Sequence, residues 1–443
     1  MDRFIRSKMR EALDVEQPDP ALRARVMASL PVIERPAGRL RRPSIEWAGG
    51  VIAGFLTLAV VVSLMYVRGG LFPSTGSIPY ERSRSASGMV SPTTGWAFSE
   101  ASGYLIRTAD GGRHWVDVTP SAYIMSAEPT GQFFLDSRRA WLTEAIYGNP
   151  TEIPSGKTIT APTSLFVFST ANGGQSWQRS GPINALGMDR EPGAVSLYFV
   201  DSKHGWMLMD HCCGPELYVL YATDDGGLHW SRTASIQEQC GGVVHPFRRL
   251  VFATLTLGWL TTPCTADSAL LVTHDGGKTW KAQALPVMGT PNVSTGPNGV
   301  QVADAPAFID QTHGALLLKV RSGHQLVLTT DAGAHWTVRT LPGDVQANAN
   351  FIDPDRGWLQ MAPQSGETTV LLFRTEDAGV TWSRLKTNLP ITSKDGYLCS
   401  LYFIDQLNGF ATRVNGLSNI EQLLRSVDGG RTWTIVGPIT RSS

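Results

Sequence analysis

The chain has 443 residues, of which 45 are glycine, 13 are tryptophan and only 17% are charged. That composition describes a turn-rich chain with many aromatic rings to bury, which excludes a disordered polymer or a helical bundle and favours an all-β fold. Thirty-eight basic residues balance thirty-eight acidic ones, so no global field draws nucleic acid, and five cysteines are too few to build a disulfide scaffold.

Residues 1–45 read as a tail with two short amphipathic helices. Phe4, Ile5, Met9 and Leu13 share one face of the first, and Leu22, Val26, Met27 and Leu30 share one face of the second. Asp19 suits the N-cap of the second helix and Pro20 its first position, where no N–H is needed. Such a tail can dock a cytoplasmic partner or lie on a membrane surface.

From Trp47 to Val67 there are twenty-one residues without a charge, enough for a helix to span a bilayer, so 46–67 is expected to be a transmembrane helix. A cleaved signal peptide fits badly, because the apolar run begins late and ends in YVRGG, with no small-residue cleavage site. Arg35, Arg39, Arg41 and Arg42 precede it and Arg68, Arg82 and Arg84 follow. With Arg3, Arg6, Lys8, Arg10, Arg23 and Arg25 also in the tail, the bias places the N-terminus in the cytoplasm and the rest of the chain outside it. Residues 68–85, rich in Gly, Pro and Ser, read as a flexible stalk.

Residues 86–443 are dominated by one recurring turn, T-x-D-x-G-x-x-W with small variations. Its aspartate and tryptophan positions are Asp110 and Trp115, Asn172 and Trp177, Asp225 and Trp230, Asp275 and Trp280, Asp331 and Trp336, Asp377 and Trp382, Asp428 and Trp433. The tryptophans lie 62, 53, 50, 56, 46 and 51 residues apart, a period that fits four short strands. A second signature, F-x-D-x-x-x-G-W, precedes each copy, as in Phe199 to Trp206 and Phe351 to Trp358. It is degraded to Ala140 before Trp141, Gly314 before Ala315 and Gly409 before Phe410. Period-two apolar stretches between the signatures are expected to be strands with one buried face. Each repeat therefore reads as four antiparallel strands, and seven repeats as a seven-bladed β-propeller. In the turn itself, the Thr hydroxyl and the Asp carboxylate bind local N–H groups, and glycine supplies the left-handed backbone. The tryptophan is expected to pack under the turn with its N–H partnered.

These residues resemble the Asp-box, or BNR, repeats of sialidases, sortilin-type receptors and the photosystem II assembly-factor propellers. The resemblance covers residues 88 to 437 and is specific for fold. It implies that the boxes lie on the periphery, away from any active or binding site. Seven copies and the preceding G-W signature are closest to the assembly-factor family, since sialidases have six blades.

Antiparallel pairing puts the loops between strands two and three, and the links between blades, on the face opposite the boxes. Those connections are long and varied, which marks the functional face. Tyr123, Tyr147, Arg248, Arg249, Lys394 and Tyr397 are the candidate contacts there. Cys212, Cys213, Cys240 and Cys264 fall on the same face of two adjacent blades, with Cys399 further off. Outside the cytoplasm one or two disulfides are expected among them. The rival is a metal site including His211 and His245. No P-loop, zinc-protease helix, nucleophile elbow, dinucleotide fingerprint or other cofactor motif is present, and the F-R-I-P opening of sialidases is missing. The expected function is a non-catalytic, membrane-anchored scaffold binding a protein or glycan partner. The alternative is a sialidase-like glycoside hydrolase.

Overall fold

The computed structural model describes residues 87–99, 104–123, 131–148, 151–152, 158–159, 162–185, 195–210, 218–236, 249–261, 270–283, 285–286, 301–302, 306–320, 323–343, 347–361, 370–389, 397–414 and 421–442. The tail, the segment 46–67, the stalk, Cys212, Cys213, Cys240, Cys264, Arg248 and Lys394 lie outside these residues. Among the described residues no helix is long and apolar enough to cross a membrane.

Seven antiparallel sheets follow one another along the chain, each built from consecutive strands in the order one, two, three, four. Blade 3 shows the plan: Val195–Phe199, Gly205–Asp210, Tyr218–Thr223 and Ser231–Ile236. Blade 2 splits its fourth strand into Gln178–Arg179 and Ile183–Asn184, and carries a small extra hairpin, Thr151–Glu152 with Thr158–Ile159. Blade 5 splits its first strand, so that Gln301–Val302 and Ala307–Phe308 both pair with Gly314–Val320. The last strand, Thr434–Pro438, completes blade 7, so among the described residues no strand is exchanged between the ends of the ring.

The expected one-sided alternation fails in the middle strands. Residues Gly205 to Met209 are buried without a break, as is the whole of Gly258–Thr261. Each blade is sandwiched between two others, so both of its faces are core, and only first strands such as Val195–Phe199 alternate. Outer fourth strands such as Lys281–Ala282 are exposed.

The box turns are satisfied internally. In blade 3 the Thr223 hydroxyl accepts from the Gly227 amide at 3.0 Å and donates to Asp225 Oδ1 at 2.9 Å, while Oδ1 also accepts from the Leu228 and His229 amides at 3.0 and 3.1 Å. Gly226 and Gly227 stand at φ of +80° and +91°. Blades 5 and 6 place Ala332 and Ala378 at the equivalent of Gly226, with φ of 58° and 55°, a conformation that costs an L-residue about 1–2 kcal/mol. The box indole does not always find a partner. Trp230, Trp280 and Trp433 donate to the second glycine of their own box and Trp177 reaches Val118, but the buried N–H of Trp115, Trp336 and Trp382 has no partner among the described residues.

The second signature joins the blades. Its tryptophan stacks on the signature phenylalanine of the next blade: Trp141 on Phe199 at 3.7 Å, Trp206 on Phe252 at 3.6 Å, Trp259 on Phe308 at 4.3 Å, Trp358 on Phe403 at 4.0 Å. That phenylalanine meets its own box tryptophan edge-on, as Phe199 meets Trp230 at 5.9 Å. Three of the four indoles also donate across the seam to a box glycine carbonyl: Trp141 to Gly226, Trp206 to Gly276 and Trp358 to Gly429. The signature glycine is required because the phenylalanine lies on it; a Cβ on Gly205 would sit 2.4 Å from the Phe199 ring. Blade 2 has Ala140 at that position, and there the stack of Trp96 on Phe134 opens to 5.6 Å.

Candidate functional site

The two faces of the ring differ in construction. On the box face, the turn between strands one and two is bonded to the box turn of the same blade, as the Gly226 amide donates to the Lys203 carbonyl at 2.8 Å. Asp201 in turn accepts the Lys203 and His204 amides, each at 2.7 Å. These turns are short, polar and closed on themselves. The long connections leave the opposite ends of the strands, and the described residues there form the base of the loop face.

The most distinctive side chains at that base belong to blade 2. Ala140–Tyr147 and Pro162–Thr170 run further towards the loop face than most of their counterparts. In the middle of the first of them, Glu144 is buried, with its side chain 2% exposed. Its Oε2 accepts from Arg179 Nη2 at 3.2 Å. The guanidinium lies 3.6 Å from the centre of the Phe166 ring and remains 38% exposed. Flat stacking and one anchored nitrogen hold the fork in place without filling it. Tyr123 packs edge-on against Phe168 at 6.0 Å, and its hydroxyl is pushed well above the usual tyrosine range by burial, then by the nearby Glu144 and Tyr147. Tyr147 itself is exposed at the strand end.

Glu144 has a counterpart. Counted from the signature glycine, Arg413 occupies the same register position in blade 7, where it is buried and donates from Nε to Gln422 Oε1 at 3.1 Å. Blades 3, 5 and 6 place Met209, Leu318 and Met361 there, all fully buried. Glu144 and Arg413 are the only buried charged residues among those described. The sequence signal was present in AWLTEAIY, an acidic residue inside an apolar strand, and passed unused.

Of the six candidate contacts, Tyr147 stands exposed as expected. Tyr123 does not: it is buried in the seam between blades 1 and 2, because the link after blade 1 folds its ring onto Leu142 and Phe168. Arg249 is half-buried at the start of blade 4, its amide donating to Thr261 Oγ1 at 2.9 Å. Tyr397 begins the first strand of blade 7, paired with Val414. The structure thus brings Tyr123 and Tyr147 together with Glu144 and leaves Arg249 and Tyr397 in other blades. No group of three His, Cys, Asp or Glu side chains among the described residues is placed to hold a metal ion. Chemically the blade 2 cluster offers an oriented cation, a buried carboxylate and two phenols.

A family model described as the BNR/Asp-box repeat matches residues 271–282, the fourth box. No curated protein matches the sequence. Among solved structures the chain is similar to YCF48 bound to D1 peptide, at 16% identity and a TM-score of 0.46 over 80% of this chain and 93% of that one. It is similar to the GH74 xyloglucanase from Xanthomonas campestris at 14% identity and a TM-score of 0.47, over 80% of this chain and 55% of the enzyme. YCF48 from Cyanidioschyzon merolae gives 15% and 0.45, over 78% and 96%. Likenesses of this degree say nothing about what the chain binds or whether it catalyses a reaction.

Proposed function

We propose that this protein is a non-catalytic recognition propeller, held at a membrane by residues 46–67 with its blades outside the cytoplasm, and that its loop face binds a protein partner. The observation that carries this reading is the contrast between the faces. Fourteen short turns close one side, two per blade, while the variable connections and the exposed Tyr147 lie on the other. Rigid strands that present variable loops are the common arrangement of binding scaffolds. An exposed tyrosine at a strand end is well suited to anchor a partner. The exposed Tyr147 also favours a second reading, a glycan-binding face, since a phenol ring can stack on a sugar and serve its hydroxyls.

The test is capture from the same membranes with the detergent-solubilised full chain. A specific partner should be retained by the parent and by Val380→Asp on the box face, and lost with Tyr147→Ala or Tyr147→Glu. Retention indifferent to the loop-face variants would sink the proposal, and elution of the partner by free saccharide would favour the glycan reading. Protease protection in sealed vesicles checks the anchor: the blades should be cut from the extracytoplasmic side only.

A further inference from the structure

The seams of the ring are not equal. Because every blade is made of consecutive strands, a link between blades spans each of six seams, and none joins blade 7 to blade 1. That seam also lacks the indole clamp. Blade 7 places Phe410 where Trp206 or Trp358 stands in other blades, and a phenyl ring has no N–H to donate. Blade 1 places Met89 where the others have phenylalanine. The seam between blades 5 and 6 is the other without a clamp, having Ala315, yet there the chain is continuous and Arg339 donates to the Ala378 carbonyl at 3.1 Å.

What holds blades 7 and 1 together is different in kind. The Met89 amide donates to the Tyr402 hydroxyl. Leu423 fits against Gly112, where a Cβ would meet it at 2.2 Å. Beyond strand four of blade 7, Ile439 remains on its own blade, its amide donating to the Glu421 carbonyl at 2.9 Å. The next residues then cross. Ser442 donates its amide to the Trp115 carbonyl at 2.9 Å and accepts the Trp115 amide on its hydroxyl at 3.0 Å. Arg441 pairs with Asp117 at 3.4 Å and lies 5.4 Å from the Tyr104 ring centre. The crossing is short, and Arg441 is 55% exposed, so its ion pair adds little against water.

We infer that the ring opens at the seam between blades 7 and 1, and that residues 439–442 are a strap that sets how often it does so. Opening there breaks no covalent continuity and no aromatic clamp, so it is a sub-global event below the free energy of unfolding. It would part the loops of blades 7 and 1 at the rim and leave the other seams intact.

Hydrogen exchange on the full chain tests this, with the Met89 amide as reporter because its acceptor lies across the seam and away from the strap. In the double variant Arg441→Ala, Ser442→Pro, which weakens the strap's bonds to Trp115 and removes its pairing with Asp117, Met89 should exchange about tenfold faster. The Leu220 amide in blade 3 should keep its rate. Trp206→Phe, which weakens a clamped seam, should leave Met89 unchanged. The milder Leu423→Ala, which loosens the same seam beside Gly112 and leaves the reporter bond in place, should raise Met89 exchange even if the double variant does not fold. An unchanged Met89 in Leu423→Ala and the strap variant would overturn the inference. So would a uniform rise in all blades, or an equal rise at Met89 in Trp206→Phe.

Discussion

The indole of Trp206 in blade 3 lies almost parallel to the ring of Phe252 in blade 4, with 3.6 Å between centroids and 6° between planes, and its N–H reaches the Gly276 carbonyl at 2.9 Å. One side chain thus carries both the apolar and the polar cohesion of a seam. Trp259 makes the same stack at 4.3 Å, but its buried N–H has no partner among the described residues. Trp206→Phe is therefore expected to cost about 1–2 kcal/mol through a lost hydrogen bond and a smaller ring. Trp259→Phe should cost about 1 kcal/mol less, because it removes an unsatisfied donor. Urea denaturation midpoints measure the difference, and the opposite order would refute the account.

Gly258 tests the steric half of the same clamp. A Cβ there would stand 2.5 Å from the Phe252 ring, which is already pressed against Trp206 and cannot retreat. Gly258→Ala should destabilise by about 1–3 kcal/mol. Ala140→Gly, where the stack is already open, should stay within about 1 kcal/mol of the parent. If thermal melts show the two substitutions to be equivalent, the phenylalanine is not what demands glycine.

The box aspartates make stability depend on acid. The His335 amide and then its imidazole hold Asp331 at about 2, and the Thr381 hydroxyl and amide hold Asp377 at about 2. At Asp225 burial pulls upward but is outweighed by the His229 amide and ring, again leaving about 2. Each folded value lies below the ~3.9 of an unfolded aspartate, so this stability is complete above about pH 5 and is lost as pH falls towards 2. Denaturation midpoints should drop across that window, and Asp331→Asn should flatten part of the drop. Asn172, which makes the same turn in blade 2 without a titrating group, shows that the amide is tolerated.

Removing one member of the Glu144–Arg179 pair in blade 2 should be asymmetric. Arg179→Met takes from Glu144 its ion-pair partner, whereas Glu144→Gln leaves a neutral side chain that can still accept from Arg179. The arginine variant should be the less stable, by about 1 kcal/mol, because Arg179 is partly screened by water. Equal losses in calorimetry would mean that the carboxylate is held mainly by its other contacts.

Much of this was written into the chain as local chemistry. The Thr223–Asp225–Gly227 bonds follow from the box spacing, and seven boxes count seven blades. Contacts between repeats were harder to read, because nothing in the spacing of Trp206 says that its partner is Phe252 rather than its own Phe199. The same blindness put Tyr123 on the surface, since burial by a neighbouring blade leaves no period in the sequence. Fully buried middle strands such as Gly258–Thr261 likewise carry no alternation to detect.

The seam that no covalent link crosses also has a history in time. As the chain leaves the ribosome, blade 1 has a partner for only one of its flanks, and the apolar surface formed by Met89, Ile106 and Trp115 stays bare until Tyr402 and Leu423 emerge. At about 5–20 residues per second, that interval is on the order of a quarter of a minute to a minute. A nascent chain with one sticky wall must be shielded for that period, so the need for a chaperone should track the last blade rather than the first.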